Sequence, residues 1–262
     1  MNILVCVKYV PESDAGIKID HSGKWVHVDG STSFRMNRLD EFAVEEALLI
    51  KEAFTDTVID VITVGSADDA GVIRRALGMG ADHGIHIVTE ERGYLSPFLI
   101  ASLIASSVKE HEHDLILTGA MSEDQMQGQV GPMIAEMLAM PCATSVVLQR
   151  LSSEAGPIYV EREIEGGFRD CMELDLPAVL TIQSGINKPR YPSLSNILRA
   201  NKQELEMIRA GSLERPEPVE SVVCVTYPQK TRSGVVLEGT QQDKAAKLLE
   251  ILAEKSFAEL FS

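Results

Sequence analysis

The chain has 262 residues, of which 45% are hydrophobic and 5% aromatic, and its formal net charge at pH 7 is −15. A chain of this length can bury one large core, and the scarcity of aromatic residues means that aliphatic side chains must build it. The negative charge argues against nucleic acid as a partner, since binding to phosphates requires clustered Lys and Arg side chains. No run as long as the roughly 18 apolar residues of a membrane-spanning helix occurs, so we expect no membrane insertion.

The cysteines and the N-terminus both indicate the cytoplasm. Cys6, Cys142, Cys171 and Cys224 form no C-x-x-C pair, and none has a histidine at the spacing of a metal site. Reduced thiols are typical of cytoplasmic proteins. The N-terminal segment MNILVCVKYV lacks the basic region and the cleavage site of a signal peptide and is typical of a strand that begins at once.

The first 140 residues alternate between short apolar runs and helical patterns. Between the first strand and the first helix, IKIDHSGKWVHVDG (17–30) predicts a β-hairpin around a Ser-Gly turn. Strands that alternate with helices over short connections predict an α/β fold with a doubly wound, mostly parallel sheet. The predicted strands are 3–7, 58–66, 83–89 and 114–119, and the predicted helices lie within 36–54, 67–82, 96–111 and 128–141.

The second half of the chain changes character. The alternating run YVEREIEGGFRDCMEL (159–174) predicts a β-hairpin insert that turns at Gly166-Gly167, and LPAVLTI (176–182) predicts one more buried strand. Prolines and charges follow, with room for two short helices, and 241–260 has the apolar stripe of an amphipathic helix. We therefore predict an α/β domain over 1–183 and an extended C-terminal arm over 184–262, within the same structural domain. The arm packs on its own domain or on a partner.

The strongest local signal is LTGAMSEDQMQGQVGP (117–132), in which an apolar strand, a glycine-containing loop and a helix follow each other. The backbone N–H groups of Gln127–Val130, at the start of this helix, are placed to bind a phosphate. The alternative is an ordinary strand-to-helix connection. The loop carries no Walker lysine and no G-x-G-x-x-G, and Glu123 and Asp124 would repel a phosphate if they pointed inward. They can instead accept ribose hydroxyls or face a partner.

Other loops are expected at the same edge of the sheet, because ligands of such sheets bind at the carboxyl ends of the strands. Asn37 and Asp40 can contact a base or a ribose there, or cap a helix. Ser66 directly follows a predicted strand and can also be a cap. No G-x-S-x-G motif and no suitably spaced carboxylate pair supplies a catalytic group. His111-Glu112-His113 does not predict a metal site, since residues i and i+2 do not share a helix face.

Several segments of the chain match sequence patterns of one known family. The most specific are VEREIEGG (160–167) and the PRY-x-x-L-x-N-I pattern over residues 189–197. The other matching segments are VCVKYVP (5–11), MNRLDEFAVEEAL (36–48), RRALGMGAD (74–82), LTG (117–119) with QVGP (129–132), and LPAVLTI (176–182). Through these segments the chain resembles, over nearly its whole length, the β subunits of electron transfer flavoproteins.

The resemblance implies a heterodimer with an electron transfer flavoprotein α subunit that shares one FAD, held mostly by the α subunit. It implies electron transfer from an acyl-CoA or related dehydrogenase to a membrane quinone oxidoreductase. The crevice of the β subunit would hold AMP or, in the electron-bifurcating branch, a second FAD that takes hydride from NADH. The alternative from the fold alone is a stand-alone nucleotide-binding protein of the stress-protein type, which shares the adenine-nucleotide α-hydrolase-like layout.

The family's site residues carry over by position. Arg162 and Glu163 match the stretch near the flavin domain, and Leu194, with Arg190 and Tyr191 before it, matches the dehydrogenase-docking loop. The nucleotide positions are Cys6, Asn37, Arg38, Leu39, Asp40, Ser66, Gly119, Ala120, Met121, Ser122, Glu123, Asp124, Gln125, Met126, Gln127, Gly128, Gln129 and Val130.

The loop that carries most of these nucleotide positions (residues 119–130, called the nucleotide loop below) departs from the patterns of some relatives. Met126 stands where the bifurcating members usually carry an aspartate, which favours AMP over a second FAD. The length of the loop fits bacterial relatives, so we expect a cytoplasmic protein of a bacterium or an archaeon.

Overall fold

The computed structural model describes residues 1–12, 18–27, 29, 32–90, 93–109, 112–153, 156–214, 216–217, 219–228 and 234–256. The chain divides into two compact units, Met1–Val225 and Thr226–Ser262. The first unit contains the central sheet and five helices of the described residues, and the second contains one helix.

The secondary-structure elements follow the predicted alternation through the first half of the chain. The strands are β1 (Asn2–Cys6), β2 (Tyr9–Pro11), β3 (Lys18–Ile19), β4 (Val26–His27), β5 (Phe34–Met36), β6 (Val58–Gly65), β7 (His83–Val88), β8 (Leu115–Gly119), β9 (Cys142–Leu151), β10 (Ile158–Glu163), β11 (Arg169–Leu174), β12 (Ala178–Ile182) and β13 (Glu206–Arg209). The helices are α1 (Arg38–Ala53), α2 (Ala70–Met79), α3 (Pro97–Val108), α4 (Val130–Met137), α5 (Leu194–Lys202) and α6 (Gln241–Ser256).

Nine strands form one sheet in the order β11-β10-β9-β12-β8-β1-β6-β7-β13. Within this order, β9, β12, β8, β1, β6, β7 and β13 all pair in parallel with their neighbours. At one edge, β10 pairs antiparallel with both β9 and β11. The prediction of a mostly parallel α/β sheet is thus confirmed. The chain runs from β1 outward through β6 and β7 and then crosses to β8 on the other side of β1. A crevice at the carboxyl ends of β1 and β8 is therefore expected at this reversal of strand order.

Alternate residues of β1 enter two separate cores, one on each face of the sheet. Ile3 and Val5 pack in the cluster that includes α1 and α2, and Leu4 and Cys6 pack in the cluster that includes α3 and α4. A strand buried on both faces must be apolar at every position, which explains why β1 and β8 read as continuous apolar runs. The helices on both faces hold the strand ends, and the loops that leave them, in fixed positions.

The two predicted hairpins are present, and the C-terminal region differs in part from the expectation. β3 pairs antiparallel with β4, and β10 and β11 are joined through Gly166 and Gly167, both with positive φ. Only α5 occupies the space expected for two short helices after Gln183. The next element is β13, which extends the sheet beside β7. Residues 257–260 of the predicted last helix lie outside the described residues. No helix in the described ranges is long and apolar enough to cross a membrane.

Candidate functional site

A cavity of about 1350 Å³ opens at the carboxyl ends of β1, β6 and β8. The loops after these strands and the first turn of α1 contribute to its walls, as the reversal of strand order requires. All predicted nucleotide-site residues line the cavity except Asn37, Leu39 and Met126. The structure therefore brings together residues from four separate segments of the chain.

Asp40 connects three of these segments at the floor of the site. Its carboxylate accepts hydrogen bonds from the backbone N–H of Lys8 at 2.7 Å, from the backbone N–H of Gly119 at 3.2 Å and from the Asn37 amide at 2.9 Å. Burial raises the pKa of Asp40 to about 7, although the hydrogen bonds from Asn37, Lys8 and Gly119 and the charge of Lys8 act in the opposite direction. Any Cβ at Gly119 would lie 2.3 Å from the Asp40 carboxylate, so this contact requires glycine. Asp40 thus holds the ends of β1 and β8 against α1.

Asn37 positions the predicted nucleotide loop (residues 119–130) and does not line the cavity. Its side chain is fully buried, it donates to the backbone carbonyl of Met121 at 3.0 Å, and it accepts from the backbone N–H of Glu123 at the same distance. It makes no side-chain cap to α1, although it occupies the N-cap position. The side chain of Asn37 therefore does not cap α1, and its contact with a ligand stays a prediction. The amide instead fixes the path of residues 121–123.

The two acidic residues of the loop are each paired with a cation. Glu123 accepts two hydrogen bonds from the Arg35 guanidinium, at 3.0 and 2.8 Å. Lys8 Nζ lies 2.7 Å from the Asp124 carboxylate and 3.4 Å from the Ser122 hydroxyl. These pairs neutralise the charges that would repel a phosphate, which removes the objection raised by the sequence. Lys8 and Arg35 also line the cavity. The sequence predicts that the loop beginning at Lys8 lies at this crevice, but it indicates neither of the two ion pairs. The position of Lys8 directly after the first predicted strand is what indicates that it lies at the carboxyl edge of the sheet.

The end of the loop and the start of α4 offer unpaired backbone donors. Gly128 has a φ of +62°, which favours glycine, and it is followed by α4, whose N-cap Gln129 makes no side-chain cap. Among the described residues, no acceptor is recorded for the N–H groups of Val130 and Gly131. Because both residues line the cavity, the helix start can bind an anionic group of a ligand.

Gly131 brings the start of α4 against the sheet. A Cβ at this position would lie 2.6 Å from Thr181 Cγ2 and 2.8 Å from Thr118 Oγ1. We expect Gly131→Ala to displace the helix start, to weaken nucleotide binding about tenfold and to lower the free energy of unfolding by about 1–3 kcal/mol. Isothermal titration calorimetry and urea unfolding measure the two effects. Gly211→Ala is the matched control, because a Cβ there meets no atom within 4 Å. Equal affinities in the two variants would contradict the expectation.

The remaining predicted nucleotide positions make fewer contacts with the rest of the site. Ser66 lines the cavity and forms a capping box with Asp69, so the expected helix cap is present and its contact with a nucleotide stays a prediction. Burial is the main cause of a raised pKa for the Cys6 thiol, which keeps it a neutral side chain. Met126 is 70% exposed and has a φ of +53°, and it lies at the outer side of the loop.

The predicted partner-binding residues divide into structural and exposed ones. Arg190 forms ion pairs with Glu45 at 2.8 Å and Glu52 at 2.7 Å, which tie the segment before α5 to α1. Tyr191 and Leu194 are 88% and 74% exposed. Ser193 caps α5 by accepting from the backbone N–H of Asn196, so Leu194 is presented on a fixed first turn.

On the β10–β11 hairpin, Arg162 donates to Thr144 Oγ1 at 3.0 Å, and Glu163 is exposed at the end of β10.

Of the histidines considered for metal binding, His111 lies outside the described residues, and His113 Nε2 lies 3.1 Å from Asp60 Oδ2. No group of three or more potential ligands with the geometry of a metal site occurs within the described part of the chain.

Comparison with known proteins shows the family. Residues 24–213 match the electron transfer flavoprotein domain. The electron transfer flavoprotein subunit beta of Bos taurus is 37% identical over 254 residues, which cover 96% of this chain and 98% of that protein. The chain belongs to the electron transfer flavoprotein β-subunit family. The β subunits of Bacillus subtilis (strain 168) and Methylophilus methylotrophus are 32% and 30% identical, and each alignment covers at least 97% of both chains.

The family assignment confirms the resemblance drawn from the sequence and, with it, a part in electron transfer. Proteins of the electron transfer flavoprotein β family carry electrons rather than act as classical enzymes. The matches include mammalian and bacterial relatives at similar identity.

Proposed function

We propose that this chain is the β subunit of a heterodimeric electron transfer flavoprotein that holds AMP in the β1–β8 crevice. With an α subunit it shares one FAD, which supplies the electron-carrying chemistry. The heterodimer accepts electrons from an acyl-CoA or related dehydrogenase and passes them to a membrane quinone oxidoreductase. The chain's own residues hold the nucleotide, dock the donor and contact the flavin domain. We place this function in the cytoplasm of a bacterium or an archaeon.

The main support for nucleotide binding is the set of N–H groups at the start of α4, on the wall of a large cavity, which find no acceptor among the described residues. A phosphate can accept hydrogen bonds from these groups, and the helix dipole favours its negative charge. The pairs Lys8–Asp124 and Arg35–Glu123 leave the surrounding loop without a net repulsive charge. A nucleotide that is only held needs no catalytic lysine.

The proposed contacts with redox partners rest on exposed side chains. Leu194 stands on the capped first turn of α5 with most of its side chain in solvent, which suits an apolar anchor that fills a pocket of the dehydrogenase. Glu163 is exposed beside the β10–β11 turn and is placed to form an ion pair with the flavin domain of the α subunit. Motion of that domain would then gate electron transfer.

The nucleotide and flavin content of the purified heterodimer tests this proposal. The chain is co-expressed with its α subunit, the complex is denatured, and the released nucleotides are quantified by chromatography. We expect one FAD and one AMP per heterodimer. A complex that contains FAD but no second nucleotide would contradict the AMP site, and failure to pair with an α subunit would contradict the proposal as a whole.

A second candidate is the electron-bifurcating type, in which the crevice holds a second FAD and oxidises NADH. The size of the cavity favours it, because about 1350 Å³ exceeds the roughly 300–1000 Å³ of common ligand pockets. Met126 does not line the cavity, so its side chain does not itself exclude the larger ligand, and the preference for AMP rests on the loop pattern. Two FAD per heterodimer would identify this type.

A further inference from the structure

One wall of the cavity is aromatic in a chain whose core is aliphatic. Tyr9, Trp25 and Phe34 line the cavity, whereas the largest fully buried side chains are all Ile, Leu or Met. Trp25 is the single tryptophan of the chain. It lies on the β3–β4 hairpin and belongs to neither of the two buried clusters. Packing of the core therefore does not account for this large ring at the cavity wall.

The indole of Trp25 is held in place by Tyr94. The two rings meet edge to face, with centroids 5.3 Å apart and planes at 61°. The Tyr94 hydroxyl accepts a hydrogen bond from the Gln127 side chain at 3.1 Å and donates to the Glu220 carboxylate at 3.3 Å. Tyr94 thus links Trp25 to the nucleotide loop and fixes the orientation of the indole.

The hairpin that carries Trp25 has a second attachment. Its strands contain two residues each, and two such strands alone are marginally stable. The backbone N–H of Val225 donates to the carbonyl of Gly23, at the hairpin turn, at 2.8 Å. An aromatic side chain that is ordered before a ligand arrives loses less conformational entropy on binding. These contacts therefore prepare Trp25 to receive a ligand.

We propose that Trp25 is a ring-binding subsite, on which a planar ring system of the bound nucleotide stacks. Aromatic rings attract each other in stacked or edge-to-face arrangements, and every nucleotide base has a face that can stack. The inference rests on the proposed nucleotide binding and adds the residue that recognises the ring. Two ring systems share this chemistry, the adenine of AMP and the isoalloxazine of FAD, and the experiment separates them.

The fluorescence of Trp25 gives the first test, in a heterodimer that keeps its shared FAD but carries no nucleotide in the β1–β8 crevice. AMP or FAD is added, and its binding is followed independently by calorimetry. The emission of a Trp25→Phe heterodimer, titrated in the same way, is subtracted from that of the wild type, so that only the Trp25 signal remains. A changed Trp25 signal on AMP binding assigns the adenine ring. Because an isoalloxazine quenches tryptophan emission without stacking on it, this ring is assigned only if Trp25→Leu weakens FAD binding and leaves AMP binding unchanged. Binding of either nucleotide with no change in either signal overturns the subsite and leaves the proposed function intact. Failure of both nucleotides to bind overturns both.

Affinities of variants give the second test. Trp25→Leu removes the aromatic face and should weaken binding of the recognised nucleotide about tenfold, whereas Trp25→Phe retains a ring and should weaken it by no more than about threefold. Lys24→Ala is the matched control, since the adjacent Lys24 is exposed and does not line the cavity. Equal affinities of Trp25→Leu and wild type would overturn the proposal. If Trp25→Leu does not fold, the fluorescence test on the wild-type heterodimer decides.

Discussion

Replacing Leu194 with alanine is expected to lower kcat/KM for reduction of the heterodimer by its dehydrogenase about 30-fold or more, while the FAD and AMP content stays unchanged. A side chain that anchors an interface contributes at least about 2 kcal/mol, which corresponds to this factor. Leu194 is 74% exposed on the first turn of α5, so its truncation removes little buried surface. Steady-state kinetics with a range of heterodimer concentrations should place the loss in KM.

The control for this experiment is another exposed apolar residue. Val223 is 84% exposed and lies far from α5 in sequence, so Val223→Ala removes comparable surface hydrophobicity without touching the proposed anchor. We expect wild-type kinetics for this variant. An unchanged KM for Leu194→Ala would exclude docking through this residue, even if the chain proves to be a β subunit in every other respect.

The parallel part of the fold was predictable because strands buried on both faces cannot hide polar residues. β6 and β8 appear in the sequence as apolar runs bounded by turn residues, and glycines or prolines mark the ends of the helices between them. β13 gave no such signal. Its four residues, Glu206–Arg209, include only two apolar ones and are mostly exposed. Its strand conformation follows from pairing with β7, a tertiary contact that local propensity does not encode.

The sequence predicted which backbone segments meet at the candidate site, but it predicted fewer of the side-chain contacts between them. The loop 119–130 was recognisable from the succession of strand, glycine and helix. The pairing of Arg35 with Glu123 joins residues 88 positions apart, and no local pattern marks it. Asn37 shows the same limit, because its hydrogen bonds reach the loop at Met121 and Glu123 only after the sheet has formed. Sequence reasoning found the segments that meet, and the structure showed which side chains hold them together.

Asp40 makes this assembly sensitive to pH. Burial raises its pKa from 3.8 to about 7, so the folded protein holds the proton more tightly than the unfolded chain does. The contribution of Asp40 to the free energy of unfolding is therefore fully present below about pH 4 and is lost as the pH rises through about 7. Asp40→Asn has no proton to lose. Its amide nitrogen, however, faces the N–H of Lys8 or of Gly119, which costs about 1–3 kcal/mol at every pH.

We therefore expect the stability difference between wild type and Asp40→Asn to change with pH. The wild type should be the more stable protein at pH 4.5, and by pH 8 the difference should shift by about 2–4 kcal/mol in favour of the variant. Urea unfolding at several pH values measures this shift, and Asp175→Asn, at an exposed position, controls for the loss of one negative charge. A shift in the opposite direction would mean that the three donors around Asp40 outweigh its burial and that the carboxylate is the favoured form. Nucleotide affinity measured on the same samples would then show whether the charge of Asp40, or only its hydrogen bonds, holds the crevice in its binding shape.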